Sequence, residues 1–201
     1  LIYTPSFKIL FPMTLSERNK KRQAADFQII DRWVNPNEKI LDLGCGDGSL
    51  VRYLKDEKNV FGIGVDNDLN RVISCVENNI PVYQGEMQVI LKEFPDHFFD
   101  KVIFSRTVEL LSNPGTIIDE ALRVGKRIII GFINHGFWLN RLNYLIEGRR
   151  TINSVYPHPW HASSRTNPFS LGEFEDFCKE NRMKVSRKVC LSSDWETEAT
   201  V

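Results

Sequence analysis

The sequence predicts an α/β protein with a doubly wound, mostly parallel sheet and helices on both faces. Three observations carry the prediction. Short apolar runs alternate with segments of helical period from residue 39 to residue 133, the β-α-β alternation of a parallel sheet. The first apolar run passes directly into a glycine-rich turn and a helix start. The second ends on an acid, Asp66, 24 residues on from Asp42, where doubly wound folds hold a ribose.

With 201 residues the chain has the size of one domain with a full hydrophobic core, and its composition indicates neither repeats nor disorder. Lysine plus arginine balance aspartate plus glutamate at 26 each, so no net field favours nucleic acid. Cys45, Cys75, Cys178 and Cys190 are scattered without a C-x-x-C pair and read as small buried residues. There is neither a signal peptide nor an apolar run of about 18 residues, the length a membrane span needs. The chain therefore reads as cytosolic and soluble, with no membrane partner. Residues 1–13, up to the first Met, read as an N-terminal extension.

Thr14 and Glu17 fit a capping box, and Ala24, Phe27, Ile30 and Val34 recur at helical spacing until Pro36 ends the pattern. This predicts a helix lying on the sheet. The first strand is 40–43, after which Gly44, Cys45, Gly46, Asp47 and Gly48 turn the chain into a helix starting at 49–51. Three alternate glycines free the backbone for φ > 0 and let a ligand approach main-chain N–H groups at a helix N-terminus. A tight turn without ligand needs only one glycine, so the triplet reads as a ligand loop, with Cys45 contributing mainly its backbone N–H. A dinucleotide fingerprint would need its third glycine where Ser49 stands. Asp42, two places before the first glycine, would repel a pyrophosphate and can face an ammonium group. S-adenosylmethionine carries such an ammonium and no phosphate, and LDLGCGDG resembles the first motif of class I S-adenosylmethionine-dependent methyltransferases.

The helix after the loop carries Leu50, Val51 and Leu54, and 60–65, VFGIGV, is the next buried strand. Asp66 at its carboxyl end can accept both ribose hydroxyl protons. Alternatively it caps the helix 69–77, a role Asp68 can fill alone. Residues 81–84 are a short third strand followed by Gly85, Glu86 and Met87. In the methyltransferase plan this loop closes on the adenine, with an acid taking the exocyclic amine and an apolar neighbour covering the ring. Glu86 is either that acid, one methylene longer than the usual Asp, or an exposed carboxylate at a helix start. Asn67 and Met87 are candidate walls of the same pocket.

The fourth strand is 100–105, and Ser105, Arg106 and Thr107 leave its carboxyl end, where open α/β sheets bind ligands. No Asn-Pro-Pro-aromatic sequence follows, which counts against methyl transfer to an amide or adenine nitrogen. Arg106 either holds a substrate carboxylate as a bidentate partner or is a solvated surface arginine. Pro114 at N1 and Gly125 bound a helix, and 127–133, RIIIGFI, is the fifth strand.

From 134 to 169 the chain departs from a minimal fold and reads as a lid or partner surface. Asn134 and His135 open it as candidate substrate contacts, His135 also as a weak candidate general base. Phe137, Trp138, Leu142, Tyr144 and Leu145 predict an aromatic-rich helix closed by Gly148, and an irregular stretch follows. His158 and His161, three apart around a proline, read as a loop and not as a metal site. Ser170 and Glu173 form a second capping box before Phe174, Phe177 and Cys178, and 184–191 predicts a sixth strand.

A more specific match runs from Asp26 to Phe177. ILDLGCGDG, FFDKVIFSRTVELL and EALRVGKRIIIGFIN, then Trp138, Arg141, Gly148, Arg149 and Trp160, with the later FEDFC, resemble the methionine biosynthesis protein MetW family. The resemblance implies a class I methyltransferase fold with strand order 3-2-1-4-5-7-6. It also implies a link to methionine synthesis through a homoserine O-acyltransferase partner, usually called MetX. The sequence departs from the family at Ile133, where a proline is usual, and at residues 161–167, which replace Tyr-Asp-Thr-Pro-Asn-Ile-His. Asp66 and Glu86 exchange the family's usual Glu and Asp. The chain ends soon after Trp195, leaving little room for a full antiparallel seventh strand, so either a six-stranded sheet or a truncated chain is expected.

Two functions follow. In the first, S-adenosylmethionine binds over Gly44 to Gly48 with its ribose on Asp66, and its methyl group passes to a small-molecule acceptor near Ser105, Arg106 and Asn134. In the second, the chain is a non-catalytic partner or regulatory subunit of a homoserine O-acyltransferase, docked through the aromatic segment 137–160. Ser49 and Asp42 leave a nicotinamide-dependent oxidoreductase a distant third.

Overall fold

The computed structural model describes residues 15–148, 161 and 166–191. The chain forms two bodies. One is Phe27–Gly131, and the other contains Leu1–Asp26 and Phe132–Val201.

In the first body, β1 (Lys39–Leu43), β2 (Phe61–Asp66), β3 (Val82–Gln84), β4 (Lys101–Ser105) and β5 (Ile128–Gly131) form one sheet in the order β3-β2-β1-β4-β5. Every pairing is parallel. The chain enters by α1 (Leu15–Trp33), and the crossovers carry α2 (Ser49–Lys58), α3 (Leu69–Glu77), the single-turn α4 (Met87–Ile90) and α5 (Pro114–Val124). The order reverses between β1 and β4, so the carboxyl ends of these strands open on the crevice where doubly wound sheets bind ligands.

Central strands covered on both faces must be apolar throughout, and Ile40, Leu41, Leu43, Val102, Ile103 and Phe104 are all fully buried. Ile30 of α1 and Val34 just after it pack with Ile40, Leu50, Leu54, Val60, Ile103 and Ile129 into one core cluster. Cys45, Val51, Cys75 and Ile80 form another. Each such side chain contributes roughly 1.5–3 kcal/mol on burial. At the amino ends of the strands, Lys101 donates to both oxygens of Glu38 at 2.7 and 2.8 Å, which satisfies an ammonium group that is itself buried.

In the second body, α6 (Trp138–Glu147) ends on Gly148 in the left-handed conformation, and α7 (Leu171–Glu180) begins with the predicted capping box. The Glu173 N–H donates to Ser170 Oγ at 3.2 Å, and the Ser170 N–H donates to Glu173 Oε2 at 2.7 Å. Hydrogen bonding to Ser170 lowers the Glu173 pKa. Ser170→Ala is expected to lower stability by about 1 kcal/mol, read as a shift of the urea midpoint at unchanged slope.

Two expectations are corrected. The fifth strand is shorter than 127–133, since Phe132 and Ile133 are buried in the second body. Residues 184–191 are not a strand, and the described residues hold a five-stranded sheet. The apolar alternation that suggested one is interrupted at Arg187, residues 184–188 are exposed, and Lys188 pairs with Glu175 at 2.9 Å outside any ladder. The capping box at Thr14 lies outside the described residues.

Candidate functional site

The glycine loop leaves β1 and is stitched to β2 by its backbone. The N–H groups of Gly44 and Cys45 donate to the Val65 carbonyl at 2.8 and 3.1 Å, and the Gly48 N–H donates to the Cys45 carbonyl at 3.0 Å. Gly44, Gly46 and Gly48 all take positive φ, at 77°, 59° and 76°, which side chains resist. The first two differ in surroundings. A Cβ on Gly44 would lie 2.5 Å from Thr107 Cγ2, whereas a Cβ on Gly46 would meet nothing within 4 Å. Gly44 is the packed foot of the loop and Gly46 its open face.

Asp66, at the carboxyl end of β2, is buried and accepts from the Gly46 N–H at 2.9 Å and the Asp68 N–H at 2.9 Å, one on each oxygen. Arg71 Nη1 lies 3.6 Å from Oδ2. Asp66 is thus the strut that fixes the glycine loop to the start of α3. Each oxygen accepts more than one bond, so the carboxylate keeps capacity for further hydroxyl donors. The helix cap is Asp68, which accepts from the Asn70 N–H at 2.9 Å. Of the two readings open for Asp66, the cap belongs to its neighbour.

Asp42 lies on β1 beside these groups, 1% exposed, and its Oδ1 has no hydrogen-bond partner. Burial, reinforced by the charge of Asp66, pushes its pKa up to about 7. Among the described residues Asp42 Oδ1 is a buried acceptor without a hydrogen-bond donor, next to the glycine loop, and a cationic group fits that need.

The remaining predicted residues lie apart from this cluster of Gly46, Asp66 and Asp42. Asp47 is exposed and spends Oδ1 on the Ser49 N–H at 3.1 Å, an Asx turn that starts α2. Glu86, exposed, stands at the N-cap position of α4 without a side-chain cap bond, with Met87 half-buried and Asn67 exposed. Ser105 and Arg106 leave β4, where the Arg106 N–H donates to the Gly131 carbonyl at 2.9 Å. Arg106 takes φ of 61°, and its Nη1 and Nη2 are buried, so it is not a solvated surface arginine. A left-handed arginine is a strained one, a condition common at functional loops.

Asn134 and His135 belong to the second body. Asn134 Oδ1 accepts from the Gly136 N–H at 3.0 Å and the Leu171 N–H at 3.1 Å, so it ties the turn after β5 to the first turn of α7. The His135 N–H donates to the Phe169 carbonyl at 3.1 Å. Of the histidine pair, His158 lies outside the described residues, among which no group of three or more His, Cys, Asp or Glu is placed to hold a metal.

Two further residues shape the loop without any signal in the sequence. Thr107, buried, fills the space a Gly44 side chain would need. Cys75 of α3 donates from Sγ to the Gly46 carbonyl at 3.2 Å. Only the folded chain brings them there.

This sheet order, with a glycine loop after β1 and a buried acid ending β2, defines the class: the fold is that of the Rossmann-like class I S-adenosylmethionine-dependent methyltransferases. A solved S-adenosylmethionine-dependent methyltransferase from Aquifex aeolicus matches with a TM-score of 0.60 at 17% identity, covering 89% of this chain and 93% of that one. One from Archaeoglobus fulgidus matches with a TM-score of 0.60 at 20% identity, covering 81% and 67%. The chain belongs to the methionine biosynthesis protein MetW family, whose model matches residues 24–200. The bifunctional methionine biosynthesis protein MetXA/MetW of Rhodopirellula baltica is 25% identical over 164 residues, 77% of this chain and 26% of that protein. A phosphoethanolamine N-methyltransferase of Zea mays is 32% identical over 77 residues, 36% of this chain and 15% of the enzyme. The chain thus spans about a quarter or less of the length of these two relatives. No helix among the described residues is long and apolar enough to cross a membrane.

Proposed function

We propose that this chain binds S-adenosylmethionine over Gly44 to Gly48 and presents its methyl group to a small-molecule acceptor. The observation that carries the reading is the open face of Gly46, pinned to Asp66 and flanked by the orphaned carboxyl of Asp42. The N–H groups of Gly44, Cys45, Gly46, Gly48 and Ser49 are spent within the loop, so the open backbone face of Gly46, the Asp66 carboxylate toward the ribose hydroxyls and Asp42 toward the ammonium group would hold the cofactor, with Asn67, Glu86 and Met87 around the adenine. When bound, the cofactor supplies an activated methyl group on a sulfonium, already a good leaving group. The task left to the chain is orientation and exclusion of water, which the β4 carboxyl end with Ser105 and Arg106 serves.

The test is calorimetric titration with S-adenosylmethionine and S-adenosylhomocysteine, beside NAD, repeated on Asp66→Asn. Binding of both sulfur compounds and not NAD is expected, weakened about tenfold to a hundredfold in the variant as charge-assisted bonds are lost. Absence of binding by either sulfur compound in a folded protein would sink the reading.

A second reading is favoured by one finding, the relative that carries the MetXA and MetW names in one chain. On it, the chain is the partner or regulatory subunit of a homoserine O-acyltransferase. Trp138, Tyr144, Leu145 and Ile146 of α6 are 60–83% exposed and supply the aromatic and aliphatic anchors an interface uses. Co-purification with the acyltransferase that is lost in Trp138→Ala/Leu145→Ala, at unchanged urea midpoint, is the expected result. Capture that survives both substitutions would remove α6 from the interface.

A further inference from the structure

Cys45 sits between the first two glycines of the ligand loop and Cys75 in the last turn of α3, and their sulfurs are 3.8 Å apart. Both thiols are free and buried. Glycines make the room for them. A Cβ on Gly64 would lie 2.5 Å from Cys45 Sγ, and one on Gly48 would lie 3.0 Å from Cys75 Sγ. The sulfurs also converge on the peptide groups that matter to the ligand. The Gly46 carbonyl accepts from Cys75 Sγ at 3.2 Å and is 3.8 Å from Cys45 Sγ, while the Gly46 N–H donates to Asp66. In the reduced state, then, Gly46 is held on one side by a thiol and on the other by the Asp66 carboxylate.

We propose that Cys45 and Cys75 form a redox switch of the ligand loop, in which a disulfide between them withdraws the loop from its binding conformation. The proposal rests on the S-adenosylmethionine reading of this loop. A disulfide needs the sulfurs to close from 3.8 Å to about 2.05 Å. Two S–H bonds break and one S–S bond forms. The two protons and two electrons pass to a peroxide, reduced to two waters, or to a small-molecule disulfide, reduced to two thiols. Oxidation removes the S–H donor from the Gly46 carbonyl and drags Cys45 toward α3. The backbone on either side of Cys45 is held to Val65 and Asp66, so the closure displaces Gly44 or Gly46, not a free end. Burial raises the pKa of both thiols, which keeps them protonated and slow to react while the loop is closed. A ligand seated on the loop therefore protects the pair.

The experiment treats the full chain with hydrogen peroxide or oxidised glutathione, with and without S-adenosylmethionine. It maps cross-linked peptides by mass spectrometry and titrates S-adenosylmethionine before oxidation, after it, and after re-reduction with dithiothreitol. The expected result is a Cys45–Cys75 linked peptide that forms more slowly with ligand present, and an affinity that falls about tenfold or more and returns on reduction. Cys75→Ser, whose hydroxyl can still donate to the Gly46 carbonyl, is expected to form no linked peptide, and its affinity for S-adenosylmethionine, whatever its starting value, is expected to stay the same before and after oxidant. Failure of the linked peptide to form, or a linked protein that binds as tightly as the reduced one, would overturn the switch. If the reduced protein itself binds no S-adenosylmethionine, the cofactor reading fails and the switch falls with it, whatever the peptide map shows.

Discussion

Alanine at Gly44 is expected to destabilise the protein by about 3 kcal/mol, against about 1 kcal/mol for alanine at Gly46, while the effect on ligand affinity runs in the opposite order. Both positions have positive φ, and a side chain in the left-handed region costs roughly 1–2 kcal/mol. At Gly44 the new methyl also meets Thr107 Cγ2 at 2.5 Å and Oγ1 at 2.6 Å. Because Thr107 is buried and cannot swing into solvent, an over-packing cost of roughly 1–3 kcal/mol is added. At Gly46 the methyl enters open space, but that space is the face on which the ligand would rest. Urea unfolding of both variants, beside S-adenosylmethionine titration of Gly46→Ala, checks the pair. Equal stability losses would mean that Thr107 does not brace the loop. Undiminished binding by Gly46→Ala would place the ligand elsewhere.

The second large effect is expected at Asp42. Its folded pKa is raised from 3.8 to about 7 by burial and by Asp66. Between about pH 4 and pH 7 the folded state therefore holds a proton that the unfolded state has released, and stability falls as pH rises across this window, levelling off above it. The shift corresponds to a few kcal/mol, at about 1.4 kcal/mol per pKa unit. Asp42→Asn removes the ionisation, so the variant is expected to lose the pH 4–7 slope and to be more stable than the parent at pH 8. A cationic ligand has the opposite preference. An ammonium group near Asp42 favours the carboxylate, so affinity for S-adenosylmethionine is expected to rise through pH 7, with protons released on binding, and to lose that rise in the variant. Urea midpoints at pH 5 and pH 8, with calorimetry in two buffers of different ionisation heat, measure both effects. An unchanged slope in Asp42→Asn would show that another group titrates there.

Much of the sheet body is legible in the chain because its signals are local. A strand buried on both faces must be an apolar run, and β1, β2 and β4 read that way. Turn chemistry then punctuates the runs, as with Pro114 and Gly125 around α5 or the capping box at Ser170 and Glu173. Residues 184–191 misled because valines at 185 and 189 imitate a strand, and nothing local says whether a partner edge is there to pair with them. Arg106 was ambiguous for a similar reason, since exposure of a loop arginine depends on what covers it.

The sequence by itself determined the order of elements, the glycine loop and the acids at its flanks, because spacing along one segment decides backbone conformation and strand ends. Only the tertiary structure decided what those groups touch: that Thr107 braces Gly44, that Asp66 is a strut between Gly46 and Asp68, that Asp42 is left without a partner for Oδ1, and that Cys75 meets Cys45. These are contacts between segments far apart in the chain. Their partners are chosen by the packing of helices on the sheet, which no local pattern encodes.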